Sequence, residues 1–140
     1  MDNIPPPQYN MCFYSSLLFL INVGVAIYYE YYLYSICFLL LTVTSLYYHS
    51  HYSSFSRAID KIAIYVVICY GGYLFYEKIK KESLTRMQIF LNVIIVSAFI
   101  STILLYYYGV YYREDPLTAD CYHSLMHCVS SLGHVCIAIV

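Results

Sequence analysis

The sequence predicts an all-α fold, a polytopic integral membrane helical bundle with about five transmembrane helices in a single domain over residues 1–140. Of the 140 residues, 61% are hydrophobic and 11% are charged, whereas a soluble domain carries about 25% charged residues. The mean hydropathy is +0.63. The charges divide the chain into five apolar runs, and about 20 apolar residues are enough to cross a hydrocarbon core of about 30 Å.

The five uncharged runs comprise residues 3–29, 31–56, 62–76, 87–112 and 121–140. A helix cannot extend backward through Pro5-Pro6-Pro7, so the first crossing starts near Met11. We expect helices at about 11–28, 32–50, 59–77, 87–112 and 120–140, with a tight turn around Glu30. The 26 residues of the fourth run are too few for two crossings and therefore form one long helix.

The third run is short, because its 15 residues rise only about 22 Å. Extending the helix backward brings in Lys61 and Asp60. A lysine can snorkel on its long side chain, but an aspartate cannot. Asp60 is therefore a candidate buried carboxylate. The alternative is that Asp60 caps the helix N-terminus in the headgroup zone while local thinning of the bilayer absorbs the mismatch.

Two classes of function are disfavoured by composition. The net charge is −1 and the longest basic run is Lys80-Lys81, so a nucleic-acid partner is not expected. The six cysteines form no C-x-x-C pair and lie mostly inside apolar runs. We interpret them as small hydrophobic filler rather than a disulfide framework or a thiolate metal site, with Cys121 the one possible exception.

Ionisable side chains inside membrane helices are costly and by default suggest function. Ser45 and His49 are one helical turn apart near the end of the second helix, so they share a face. His123 and His127 have the same spacing in the last helix, which brings both imidazoles within reach of one metal ion.

Counting crossings places these residues at one membrane level. The second helix ends on the side where the third begins, and the fifth begins on that side too. His49, Asp60, His123 and His127 then lie at one depth. Three neutral imidazoles with an open fourth position are the arrangement of a catalytic zinc, Zn²⁺, whose bound water loses a proton near neutral pH. Asp60 would orient a ligand imidazole or take that proton.

The histidines also have a simpler interpretation. Histidines near helix ends are often interfacial side chains, and Ser/His pairs hold helices together by hydrogen bonds worth around 1 kcal/mol. We apply this interpretation to two further histidines. His51 is expected to face the headgroups, and His134 to pack against polar groups such as Asn92, Ser97 or Ser101.

The pattern resembles a superfamily of membrane hydrolases and receptors that includes the alkaline ceramidases, the progestin and adipoQ receptors, the GPI-anchor lipid-remodelling enzymes and the myomaker-like proteins. Its signature is Ser-x-x-x-His, a following Asp, and His-x-x-x-His in the last helix. Here these are Ser45 with His49, Asp60 eleven residues later, and His123 with His127. The resemblance implies zinc held by the three histidines, Asp60 near the bound water, and Ser45 assisting.

The chain departs from that superfamily in its number of crossings. The superfamily has seven crossings and this chain has room for five, so one hairpin between the Asp60 helix and the last helix is missing. A lipid cavity built from seven helices would then be incomplete. A homo-oligomer would be the natural compensation.

We expect a zinc-dependent integral-membrane hydrolase of a lipid amide or ester, ceramidase-like, with metal-bound water as the nucleophile and a membrane lipid as the substrate. The alternative is a non-enzymatic receptor or membrane-remodelling protein in which a His₃ zinc site pins three helices together. An open water position favours catalysis and a closed four-ligand site favours structure. Bis-histidine haem is disfavoured because His123 and His127 share one face.

Overall fold

The computed structural model describes residues 11–80 and 83–140, and within these ranges all regular secondary structure is helical. The predicted all-α class is confirmed. The helices are α1 (Met11–Ser16), α2 (Phe19–Tyr28), α3 (Tyr32–His51), α4 (Ser54–Ile79), α5 (Arg86–Tyr111) and α6 (Pro116–Ile139).

Among the described residues, four segments are long and apolar enough to cross a membrane: Met11–Tyr28, Tyr32–His51, Ser54–Ile79 and Arg86–Tyr111. The chain is therefore compatible with a multi-pass membrane protein. The remaining long helix, α6, packs against α1, α2, α4 and α5. Its polar side chains thus have protein neighbours on several sides. The expected fifth crossing, by α6, stays a prediction.

The first helical segment is interrupted at Leu17 and Leu18, which the sequence analysis did not anticipate. The amides of Leu17 and Leu18 donate to the carbonyls of Tyr14 and Ser15, three residues back, at 3.1 Å each. Such i→i+3 bonds tighten the backbone relative to an α-helix. The short helix α1 is therefore set apart from α2.

Helix α4 begins at Ser54, five residues earlier than the sequence predicts. A reciprocal capping box explains this start: the Ser53 hydroxyl accepts from the Ser56 amide at 3.0 Å, and the Ser56 hydroxyl accepts from the Ser53 amide at 3.0 Å. The helix has 26 residues and rises about 39 Å. Asp60 lies in its second turn and is buried, so the alternative that Asp60 caps the helix is wrong.

Two residues with left-handed backbones make the turns between the first helices. Glu30 has φ of 64°, and the Tyr31 amide donates to the Ala26 carbonyl at 2.8 Å, which closes α2 in a Schellman motif. This confirms the tight turn expected at Glu30. Tyr52, with φ of 44°, ends α3, so α4 folds back along α3. The end of α3 therefore lies beside the start of α4.

Helix α6 begins at Pro116, earlier than the expected residue 120, because Asp115 caps it. The Asp115 side chain accepts from the Thr118 amide and hydroxyl. These hydrogen bonds hold the pKa of Asp115 below its usual value. Proline at the first position of a helix is favoured because its missing N–H has no partner there anyway.

Helices α4 and α6 run in the same direction. At their C-terminal ends, Lys78 Nζ donates to the carbonyls of Ile137 at 2.7 Å and Ala138 at 3.0 Å. A cation there is favoured by the partial negative charge of the last carbonyls of a helix. At the other end, the start of α6 therefore lies level with the start of α4 and the end of α3.

Close approach of α3, α4 and α6 depends on Gly71. A Cβ atom at Gly71 would lie 2.7 Å from the Tyr34 hydroxyl oxygen and 3.0 Å from His134 Cε1. The Tyr34 hydroxyl is hydrogen-bonded to His134 Nδ1. The expected partners of His134 on α5, Asn92, Ser97 and Ser101, are therefore wrong, because this histidine points toward α3. The part of the expectation that agrees with the structure is that His134 packs between helices through a polar contact.

Candidate metal centre

Three imidazole rings meet between the end of α3 and the start of α6. The ring centroids of His49 and His123 are 5.1 Å apart, those of His49 and His127 are 5.6 Å apart, and those of His123 and His127 are 4.7 Å apart. His123 and His127 occupy successive turns of α6, as their spacing predicts. The structure therefore brings together the three residues proposed from the sequence as metal ligands. We call His49, His123 and His127 the histidine cluster.

His49 has an unusual environment for a buried polar side chain. It is 3% exposed, and within residues 11–80 and 83–140 neither of its ring nitrogens has a hydrogen-bond partner. Leaving a buried polar group unsatisfied costs about 1–3 kcal/mol. A metal ion would supply the missing partner, and neutral imidazole is a common zinc ligand. The residues present therefore fit zinc.

His127 is held by a neighbour on α1. The hydroxyl of Ser15 lies 2.8 Å from His127 Nδ1, and the imidazole packs against the Phe19 ring with centroids 5.1 Å apart. A hydrogen bond to one ring nitrogen fixes the orientation of the imidazole and leaves the other nitrogen available. The sequence analysis did not single out Ser15, which lies 112 residues away in the chain.

Ser45 and Asp60 lie together in the buried contact between α3, α4 and α1. The Ser45 and Ser16 hydroxyls are 2.9 Å apart, and Asp60 Oδ1 accepts from the Thr44 hydroxyl at 3.5 Å. The Ser45 side chain also lies near the Asp60 carboxylate. In the described structure, Asp60 thus binds hydroxyl groups of α3 and not an imidazole of the cluster.

Cys12 also lies beside the histidine cluster. Its Sγ atom and one ring nitrogen each of His49 and His123 all lie within 4.8 Å of one another. The sequence analysis treated this cysteine as filler. No spacing could have identified it, because 111 positions separate it from His123 and only the packing of α1 on α6 brings them together.

His51 and Cys121 both lie outside the histidine cluster. His51 is exposed, and its Nδ1 lies 2.7 Å from the Ser50 hydroxyl and 3.2 Å from the Tyr47 carbonyl oxygen. It is separate from the cluster, as expected. Cys121 is exposed and does not belong to the group of donor atoms described above.

A cavity of about 500 Å³ extends from the histidine cluster between α4 on one side and α5 and α6 on the other. Its polar end is lined by Ser45 and His127, and most of its wall is aliphatic or aromatic. Two wall residues, Ile68 on α4 and Phe99 on α5, are 42% and 57% exposed. The cavity therefore opens sideways on the apolar outer surface, between α4 and α5.

The chain matches no known family model, no curated protein and no solved structure. The functional interpretation therefore depends on the geometry of the histidine cluster, the buried carboxylate and the cavity.

Zinc binding can be tested with two matched pairs of histidine variants. We expect the purified chain to bind about one zinc, and His49→Ala or His123→Ala to abolish binding, because each removes an imidazole that faces the others. His51→Ala and His134→Ala should retain the metal, since His51 is exposed and His134 is bonded to Tyr34. Metal analysis of detergent-purified protein measures this. Wild-type protein that binds no zinc after reconstitution would contradict the assignment.

Proposed function

We propose that this chain is a zinc-dependent membrane hydrolase that cleaves an amide or ester bond of a lipid. The observation that carries the proposal is the position of the cavity. Its wall is mostly apolar, with His134 and a few hydroxyl groups among its lining residues; it opens on the outer surface of the bundle and reaches Ser45 and His127 of the cluster. A lipid chain lying in this cavity would bring a carbonyl group to the polar end.

The volume and lining of the cavity suit a lipid chain. Pockets for small molecules span about 300–1,000 Å³ and are mostly apolar, with a few polar groups that fix orientation. A substrate that enters from the bilayer does not have to cross water. The opening between α4 and α5 faces the region where the surrounding lipid would lie.

The histidine cluster would hold the metal at the polar end of the cavity. When bound there, zinc would lower the pKa of a coordinated water and polarise the carbonyl of the substrate. His49, with two unpartnered nitrogens, and His123 on α6 are suited to bind it, and His127 is the third donor expected from the sequence. Ser15 keeps the His127 ring in place.

Asp60 and Ser45 would transfer the proton of the attacking water to the leaving group. In this proposal, Asp60 would accept the proton that water loses on attacking the carbonyl, and the Ser45 hydroxyl, which lines the cavity and interacts with Asp60, would relay it. The same proton then passes to the leaving amine or alcohol, so one water is consumed and a fatty acid is released. Ser16, 2.9 Å from Ser45, holds that hydroxyl in place.

The proposal agrees with the resemblance to the alkaline ceramidase superfamily, of which we propose this chain to be a shortened relative. The missing hairpin of a seven-helix bundle would lie in the chain between the Asp60 helix, α4, and the last helix, α6. A second copy of the chain packing over the opening between α4 and α5 stays a prediction.

A non-enzymatic scaffold or receptor is the second candidate. It is favoured by Cys12, because the thiol forms one group of donor atoms with His49 and His123, and His127 would complete the four protein ligands of a structural zinc site. The cavity that reaches the cluster favours the hydrolase, since a purely structural site has no need of one.

Asp60 separates the two candidates. Asp60→Asn keeps the size of the side chain and removes its ability to accept a proton, so hydrolysis of a ceramide or phospholipid should fall by about 10²–10⁴-fold. Zinc affinity should fall far less, because Asp60 contacts hydroxyls of α3 and not the cluster. The measurement is product release by detergent-solubilised, zinc-loaded protein. If zinc-loaded wild type hydrolyses no lipid amide or ester in a broad panel, the scaffold candidate takes precedence.

The cavity can be tested at Gly72, which lines it and where an added Cβ has no neighbour within 4 Å. Gly72→Leu should fill part of the cavity and lower the turnover of a long-chain substrate by about 10–100-fold. Gly24 on α2 has an equally open position outside the cavity lining, so Gly24→Leu is the matched control and should leave turnover unchanged.

Because glycine disfavours helices, both leucine variants should be as stable as wild type or more stable by about 0.5–1 kcal/mol. Equal turnover by the Gly72→Leu and Gly24→Leu variants would show that the substrate does not use the cavity.

A further inference from the structure

The thiol of Cys12 lies close to two histidine nitrogens, as expected of a metal ligand and not of a cysteine that only fills space. Its Sγ atom and nitrogens of His49 and His123 lie within 4.8 Å of one another, and it is 1% exposed. The residues come from three different helices: α1, α3 and α6. A shared donor position for side chains from three helices is a feature of sites that bind a metal between helices.

The surroundings of Cys12 are polar. Its thiol donates to the carbonyl oxygen of Asp120 at 3.5 Å and faces Asp120 Oδ1 at 3.7 Å, and it accepts from the Ser124 hydroxyl at 3.6 Å. Hydrogen bonds to a coordinating sulfur are a common feature of metal sites, where they tune the ligand. A filler cysteine would instead be surrounded by apolar side chains.

His49 independently indicates a ligand at this position. It is 97% buried, counting from its 3% exposure, and both of its nitrogens lack a partner among the described residues. One of those nitrogens belongs to the same donor group as Cys12 Sγ. Donors around one tetrahedral zinc lie about 3.3–3.6 Å apart, given Zn–N and Zn–S bonds of about 2.0–2.3 Å. The separation of up to 4.8 Å is wider than this spacing, so metal binding requires the three side chains to move closer together.

We propose that the Cys12 thiolate is a ligand of the zinc and, with the three imidazoles, closes the coordination sphere in the resting protein. This inference rests on the proposed function, because it assigns the thiolate to the position that hydrolysis needs for water. Binding forms the Zn–S bond and breaks the S–H bond. The proton leaves to solvent by way of the carboxylate of Asp120, a residue that is partly exposed.

The location of Cys12 gives this ligand a distinct role. Helix α1 has six residues and is separated from α2 by the turn at Leu17 and Leu18. A thiolate carried by α1 can leave the metal without any change in α3 or α6, which carry the histidines. Release of Cys12 would then open one coordination position for water.

X-ray absorption at the zinc edge of the full chain, purified in lipid nanodiscs and loaded with zinc, tests the inference directly. The wild type should show one sulfur neighbour at about 2.3 Å besides nitrogen at about 2.0–2.1 Å. The sulfur neighbour should disappear in Cys12→Ser. Cys136→Ser is the matched control: Cys136 is also buried on the inner side, but lies nine residues beyond His127, about 14 Å along α6.

Zinc affinity and turnover supply two further measurements. Loss of a residue that only supports a ligand lowers metal affinity by about 10–100-fold, so loss of a ligand in Cys12→Ser should exceed about 100-fold. At saturating zinc, hydrolysis per bound zinc should rise in Cys12→Ser, because the position becomes available to water. Cys136→Ser should change neither quantity.

A zinc-loaded wild type with no sulfur neighbour would overturn the inference, and this holds even if Cys12→Ser fails to fold. A sulfur neighbour that persists in Cys12→Ser would overturn it too. If the sulfur is present and neither wild type nor Cys12→Ser hydrolyses any lipid, Cys12 remains a ligand and the proposed hydrolase fails. If the wild type hydrolyses a lipid but shows no zinc–sulfur neighbour, the proposed hydrolase stands and the inference about Cys12 fails.

Discussion

The arrangement of this bundle depends on the burial of His49 at the contact between α3 and α6. Its two ring nitrogens have lost water and, among the described residues, have gained no hydrogen bond. A ligand bound at this position would offset that cost of about 1–3 kcal/mol. A nitrogen of His123 and the thiol of Cys12 lie within 4.8 Å of a nitrogen of His49, and the His127 ring packs against the His49 ring. We therefore interpret the local fold as a preformed set of donors for one metal ion.

The rest of the bundle brings these donors to one level. The turn at Tyr52 places the end of α3 beside the start of α4, and the contact of Lys78 with the end of α6 aligns α6 with α4. Close contact at Gly71 holds α3, α4 and α6 together. The helices α4 and α5 leave a space between them, and the cavity occupies that space. The same packing thus produces both the cluster and an apolar path to it.

Much of this arrangement follows from the sequence because it depends on periodicity and on counting. Residues four apart on a helix share a face, which predicts the pairing of His123 with His127, and the alternation of helix direction predicts that His49 lies near them. The break between α1 and α2, the bond of His134 to Tyr34, and the approach of Cys12 were not predictable in this way. Each depends on how side chains from distant segments pack, which neither spacing nor composition determines. The early start of α4 is not predictable from the positions of the charges, because the capping residues Ser53 and Ser56 lie inside the uncharged run 31–56.

The most direct test of the metal centre is thermal unfolding of the wild type and of His49→Leu, each with and without zinc. Zinc at 100 times its dissociation constant should stabilise the wild type by about 2.7 kcal/mol and leave His49→Leu unchanged. Without metal, His49→Leu should be at least as stable as the wild type, because the substitution removes two unsatisfied nitrogens from the interior. A wild type that zinc does not stabilise, together with a metal-free His49→Leu that unfolds at a lower temperature, would show that His49 is a packing residue and contradict the account.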